Sequence, residues 1–254
     1  MYVRLKHTLS AIALAALRDP ARSSQAGPVP WLRAFCELAG QDGGTVYEVP
    51  VAAAAGRARA SRRGARASEA RGLEAVLASG LLERTDGALV LPAAFRPHMA
   101  YLTRQVHRLD RALRSLAGTP PMAGRRGIIR KGASLFNAGL FFECHEYLED
   151  AWRRASGDDR ILYHGWILVA ASFYHHEKGN LHGARIKLTE GMKHLQRGAS
   201  PSSGLQLDHW LGTLERWRNR LEAGHITGVL QASEIPRISL SSHRRLRARR
   251  PRGS

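Results

Sequence analysis

The residue types from which catalytic and metal sites are built crowd the stretch between Glu143 and Asp150, where Glu143, Cys144, His145, Glu146, Glu149 and Asp150 follow one another closely. A histidine and a carboxylate one helical turn apart can hydrogen-bond, act as general acid and base, or ligate a divalent metal. On a helix from Gly139 to Arg154, at about 100° per residue, Phe141, Cys144, Leu148, Ala151 and Trp152 share one face, and His145 and Glu149 fall at its edge. Glu143, Glu146, Asp150, Arg153 and Arg154 take the opposite face, toward water. Three readings of His145 and Glu149 stay open. In the architectural one they hydrogen-bond to each other, with His175 or a backbone carbonyl across the bundle, and pin the register of the hairpin. In the second they hold a metal, although His164 and His175 lie about 16 Å apart along their helix and cannot join one ion together. In the third they are an acid/base dyad, with no nucleophile or oxyanion donor in view. The expectation is a chain without metal or cofactor.

The elements that position this pair belong to a chain of 254 residues with a formal net charge of +18, long enough for two domains with real cores. Two cysteines, Cys36 and Cys144, exclude a disulfide framework and suggest a reduced cytoplasmic protein. No apolar run approaches the roughly 20 residues that span a bilayer, so no membrane span is expected. Residues 1–18 carry Arg4 and Lys6 ahead of an alanine- and leucine-rich run, an echo of a signal peptide, but Thr8 and Ser10 interrupt it and an amphipathic helix fits better. The charge is uneven. Residues 136–196 are nearly neutral, whereas arginines gather in residues 57–71, in 104–130, and after Glu234 at Arg237, Arg244, Arg245, Arg247, Arg249, Arg250 and Arg252. Such blocks are solvated, disordered, or bound to a polyanion.

In chain order, residues 19–30 are rich in Pro, Ser and Gly and read as a linker. Residues 31–39 form a short helix stopped at Gly40, and residues 45–50 a strand that Pro50 confines to an edge or ends. Two helices follow at 52–60 and 68–79, the second with Ser68 as N-cap and Gly80 just past its end. Asp86-Gly87 between residues 82–85 and 88–91 is a strong hairpin signal. Helix, strand, helix, helix, hairpin resembles a winged helix-turn-helix over residues 31–95. That resemblance implies a second helix of the turn in the major groove with the hairpin beside it, and Arg57, Arg59, Arg62, Arg63, Arg66 and Arg71 could neutralise phosphates. Glu69 and Glu74 on the helix itself argue for a protein contact instead. From Pro97 to Ala117 a heptad stripe of Met99, Leu102, Val106, Leu109, Leu113 and Leu116 offers a homodimer seam or a helix packed along its own domain. The Gly-Thr-Pro-Pro of residues 118–121 breaks the chain.

Beyond that break Ile128, Ile129, Ala133 and Phe136 mark a helix that ends at Asn137-Ala138-Gly139. A helix from Asp158 or Asp159 to Lys178, apolar all round at residues 166–171, should be the buried centre. Gly179 ends it, Asn180 caps the next, and Ala184, Leu188, Met192 and Leu195 form that helix's inner stripe. A last helix over residues 205–221 aligns Leu207, Trp210, Leu214, Trp217 and Leu221. Gly139 and Gly179, each followed five residues later by a small residue, Cys144 and Ala184, suggest two helical hairpins of one design, related to tetratricopeptide hairpins but at an offset of 40.

Phe136, Asn137 and Gly139, then His145, Glu149 and Trp152, then Tyr174, His175, Gly179, Asn180 and Ala184, closely resemble the family of the domain of unknown function 309 over residues 125–197. The resemblance implies a compact all-helical domain of bacteria and archaea and no established activity. The whole reading is a mainly α protein, a helical bundle of related hairpins preceded by a small α+β winged-helix-like domain. Residues 1–30 are helix and linker, 31–117 the winged-helix-like domain with the heptad helix, 125–222 the bundle, and 235–254 a disordered basic tail. The function expected is non-enzymatic binding, of duplex DNA by the N-terminal domain and of a protein or small ligand by the bundle. The alternative is a metal-dependent or acid/base hydrolase centred on His145, Glu149 and His175.

Overall fold

The computed structural model describes residues 1–40, 46–60, 66–198, 205–225 and 228–240. The chain is mainly helical, with one small sheet in its N-terminal half: α1 (Tyr2–Ala16), α2 (Pro20–Ala26), α3 (Val29–Ala39), β1 (Glu48–Pro50), α4 (Val51–Ala60), α5 (Arg66–Ala78), β2 (Glu83–Thr85), β3 (Ala88–Val90), α6 (Met99–Ala117), α7 (Gly124–Ala138), α8 (Phe141–Arg153), α9 (Gly157–Glu177), α10 (Leu181–Arg197) and α11 (Leu207–Glu222). The sheet order is β1-β3-β2, antiparallel throughout, with Glu48 opposite Val90 and Thr85 opposite Ala88. Asp86 and Gly87 both have positive φ, 49° and 80°, the backbone of the tight two-residue hairpin loop that Asp-Gly favours. Pro50 sits on the edge strand, where a missing N–H costs the ladder nothing.

The linker expected at residues 19–30 is instead α2 and the start of α3. The Asp19 carboxylate accepts the Arg22 N–H at 3.0 Å, and Pro20 and Pro30 occupy first-turn positions whose N–H would be unpaired anyway. Prolines that look like breakers are here starters. α5 opens at Arg66, so Ser68 lies inside its first turn and is not the N-cap. Of the expected strand, Thr45 lies outside the described residues.

Two hydrophobic cores form, and α1 and α6 serve both, as does α3 through Val29. α1 sends Leu5 and Leu9 into the core of the N-terminal half and Ala13 and Ala16 into that of the C-terminal half; α6 divides likewise between Met99, Leu102 and Val106 and then Leu109, Leu113 and Leu116. All six residues of the α6 stripe are buried. The stripe is packed into the chain's own two cores, the second of the two uses its spacing allowed.

In the C-terminal half two turns share one hydrogen-bond pattern. The Leu140 N–H reaches the Leu135 carbonyl at 3.0 Å and the Asn180 N–H the His175 carbonyl at 3.0 Å, with Gly139 and Gly179 left-handed between them at φ 83° and 74°. This is the glycine-closed end of a helix. The small residues five places on, Cys144 and Ala184, are fully buried. α9 and α10 approach so closely that a side chain on Gly165 would strike the Gly191 carbonyl oxygen at 2.9 Å, and one on Gly191 the Gly165 oxygen.

Residues 235–240, expected within a disordered tail, strap across the bundle. Ile235 and Ile238 are buried, the Trp210 indole N–H donates to the Pro236 carbonyl at 3.1 Å, and the Asn137 side chain bonds both the carbonyl and the N–H of Ile238, at 2.9 and 2.8 Å. The arginines from Arg244 onward lie outside the described residues.

Candidate functional site

α8 presents Phe141, Cys144, Leu148 and Ala151 to the core, which leaves His145 and Glu149 at the rim rather than inside. Each side chain is 31% exposed. The His145 Nδ1 lies 3.3 Å from a Glu146 oxygen and 4.0 Å from Glu149 Oε2, the second distance being outside hydrogen-bond reach. Glu149 accepts from Arg153 at 2.7 Å. The pair is half-buried at the edge of the core face and makes no hydrogen bond between its own members. His175 does not complete it: its Nδ1 sits 3.2 Å from the Asn180 amide nitrogen, while Asn180 Oδ1 caps α10 by accepting the Gly183 N–H at 2.8 Å. The triple that does converge is His145, Glu146 and Glu149, with ligand-type atoms all within 4.8 Å of one another.

The remaining motif residues do structural work. Phe136 packs edge-on to Phe141, Phe173 and Trp210 in the core. Trp152 lies across α8 and α9, with the His164 ring 5.6 Å away and the Arg160 guanidinium 4.2 Å above it. His164 in turn meets His194 at 4.5 Å, and burial first, then that second imidazole, lowers its pKa. Burial raises both thiols, Cys36 to about 12, so neither is poised as a nucleophile.

A second polar group, which periodicity missed, lies where α1, α6, α8 and α9 meet. Glu143, placed by its helical angle in water, is 1% exposed. Burial pushes its carboxyl up to about 7, against the pull of Arg108 and Lys6 and with the help of Glu177, and its Oε2 has no hydrogen-bond partner among the described residues. Around it stand Tyr2 and Lys6 from α1, Tyr101 from α6, Tyr174 from α9 and Lys178 just past the end of α9. Tyr2 stacks edge-on to Tyr101 at 5.0 Å, the Lys178 ammonium lies 4.0 Å over the Tyr2 ring and donates to its hydroxyl, and the Lys6 ammonium lies 3.9 Å over Phe142. Burial and then Glu143 raise the Tyr101 phenol. Next to this group Arg108, 5% exposed, donates to both Glu177 oxygens at 2.7 and 3.2 Å and to the Gly139 and Leu230 carbonyls at 2.8 and 3.2 Å. A side chain on Gly139 would come within 2.9 Å of that guanidinium. No local signal marks Glu143, because the residues that cover it come from α1 and α6, far away in sequence. A carboxyl exchanging its proton near neutrality, beside phenols and ammonium groups, can donate or accept a proton or register its charge as strain.

The arginines proposed from sequence to meet phosphates are only partly gathered. Arg57 is engaged by Glu37 at 2.6 Å; burial raises the Glu37 carboxyl, but Arg57 and Arg33 outweigh it and hold it low. Arg59 and Arg71 are exposed on α4 and α5, Arg66 opens α5, and Arg62 and Arg63 lie outside the described residues. The exposed face of α5 mixes Arg71 with Glu74.

Comparison with known proteins gives a domain and no activity. Over 70 residues the chain is 36% identical to the uncharacterized protein YpuF of Bacillus subtilis (strain 168), a stretch that is 27% of this chain and 40% of that relative. The chain thus covers less than half the length of the curated protein it matches. No solved structure matches. The family described as domain of unknown function (DUF309) matches residues 129–187, inside the 125–197 expected. From Phe136 and the Gly139 turn through His145, Glu149 and Trp152 to Ala184, residues 129–187 are a DUF309 domain.

Proposed function

We propose that the chain is a non-enzymatic binding protein, in which residues 31–95 act as a winged-helix unit on duplex DNA and the helical hairpins of residues 125–222 receive a protein or small-molecule partner. The observation that carries this is the order of elements: α3, β1, α4 and α5, then the β2–β3 hairpin, with β1 laid antiparallel to β3. In that arrangement α5 is the reading helix and the hairpin its wing. The arginines from Arg57 to Arg71 supply phosphate contacts, and the mixed face of α5 favours backbone binding over base readout. α1 and α6, shared between the two cores, give a ligand on the bundle a mechanical route to the DNA unit. Fluorescence anisotropy of a labelled duplex with the full chain tests it. If about five phosphates are neutralised, affinity falls about 500-fold between roughly 50 and 200 mM salt; absence of salt-dependent binding sinks the reading.

A second reading rests on the convergence of His145, Glu146 and Glu149. A divalent cation held there would supply Lewis acidity or a lowered water pKa for hydrolysis, with His175 free to take part only after leaving Asn180. Elemental analysis of purified protein and of a Glu146→Gln variant decides it: stoichiometric metal in the first and its loss in the second support the reading, and no metal in the first removes it.

A further inference from the structure

Arg104, His107, Arg108 and Arg111 follow one another along α6 at intervals of three, one and three, which puts them on one helical face. All four line a cavity of 140 Å³ whose other walls are Ala138, residues 229–232 and Ile235. No lining residue is acidic. Glu234, the nearest acid in the closing segment, accepts the Gln231 N–H at 2.8 Å and faces a different hollow, beside Arg216 and Arg220.

The two kinds of arginine in the cavity differ. Arg108 is the fixed wall, its charge matched by Glu177 and its fork anchored on two carbonyls. Arg104 and Arg111 have no carboxylate partner among the described residues, and the Nε of Arg104 is buried with no acceptor. Buried donors normally have acceptors, and guanidinium groups that line one hollow are suited to an oxyanion.

We propose that this cavity binds a compact tetrahedral oxyanion of the phosphate class. Its volume holds one phosphate group, while whatever carries that phosphate stays outside the mouth. The phosphate could be free or part of a nucleic-acid backbone, and the experiment separates the two sources.

Inorganic phosphate is titrated against the thermal unfolding of the full chain, with ionic strength held by sodium chloride. Saturable stabilisation at about 10 mM or below is expected, with half-saturation at least about tenfold weaker in Arg104→Gln/Arg111→Gln, since each lost charge-assisted bond is worth that much. Because Arg104 is partly buried, Arg111→Gln alone, at an exposed side chain, is run beside it and should weaken phosphate in the same sense. No saturable rise in the wild type, or half-saturation in both variants equal to that of the wild type, overturns the proposal. No DNA is present in that titration, so its failure is distinct from failure of the DNA reading. Where the stabilisation is seen, anisotropy of a labelled duplex with and without saturating phosphate names the source: displacement assigns the cavity to a backbone phosphate, and unchanged binding assigns it to a free anion.

Discussion

Replacing Glu143 by glutamine keeps the shape of the side chain and removes its proton equilibrium, so it isolates what the buried carboxyl does to the fold. In the folded chain that carboxyl is raised from 4.5 to about 7. At low pH it is neutral folded and unfolded alike and costs little. As pH rises from 4.5 the unfolded chain ionises while the folded chain holds its proton, so stability falls; above about 7 the folded group ionises too and the loss stays at its full size. At about 1.4 kcal/mol per pH unit, the loss between about pH 5 and pH 8 is about 2–3 kcal/mol. The variant lacks this loss. Urea unfolding of both proteins, followed by circular dichroism at about pH 5, 6.5 and 8, should show Glu143→Gln gaining about 2–3 kcal/mol on the wild type across that range. Parallel pH curves would refute the reasoning. A variant that falls behind as pH rises would show instead that Glu143 is ionised and held by Lys6 and Arg108.

Gly139→Ala and Gly179→Ala impose the same left-handed strain, but only the first drives a methyl group against Arg108; melting should show about 1 kcal/mol lost at Gly179 and about 2–4 kcal/mol at Gly139, and equal losses would tell against the Arg108 contact. Glu177→Leu leaves the Arg108 charge buried and unpaired, a loss of about 3–5 kcal/mol by chemical unfolding, much of it recovered by adding Arg108→Met; failure of the double variant to recover would place the loss elsewhere. Glu149→Gln, at a solvated rim with its ion pair to Arg153, should change stability by less than about 1 kcal/mol in thermal melts, and a loss above about 2 kcal/mol would restore an architectural role for the pair.

Much of the local structure is legible in the chain. Asp86-Gly87 dictates its hairpin because only a two-residue left-handed loop joins those strands, and the glycines at 139 and 179 dictate helix ends because other residues resist positive φ. The apolar run at residues 166–171 and the spaced tryptophans and leucines of α11 locate the bundle core. What escapes is set by distant segments. Helical spacing identified the face of α8 that meets α9, but it could not show that α1 and α6 cover the other face, and so it left Glu143 in water. Residues 19–30 escaped for a different reason: proline at a helix start has the same composition as proline in a linker. Residues 235–240 look like a charged tail by their neighbours, while Ile235, Ile238 and the acceptor carbonyls they bring are what the bundle uses.

Lys178 donates to the hydroxyl of Tyr2, a partner 176 residues earlier in the chain. During synthesis α1 therefore exists long before the surface it will rest on. Tyr101 and Phe142 can receive Tyr2 and Lys6 once α6 and α8 are made, but until α9 is complete Tyr174 and Lys178 are missing from the cover over Glu143. Loop closure over such a separation is entropically costly and late. Closing that cover buries the Glu143 carboxyl and raises it to about 7. Refolding should accordingly be faster at mildly acidic pH than at alkaline pH, with the final step, and not the early collapse of α8 to α10, carrying the dependence.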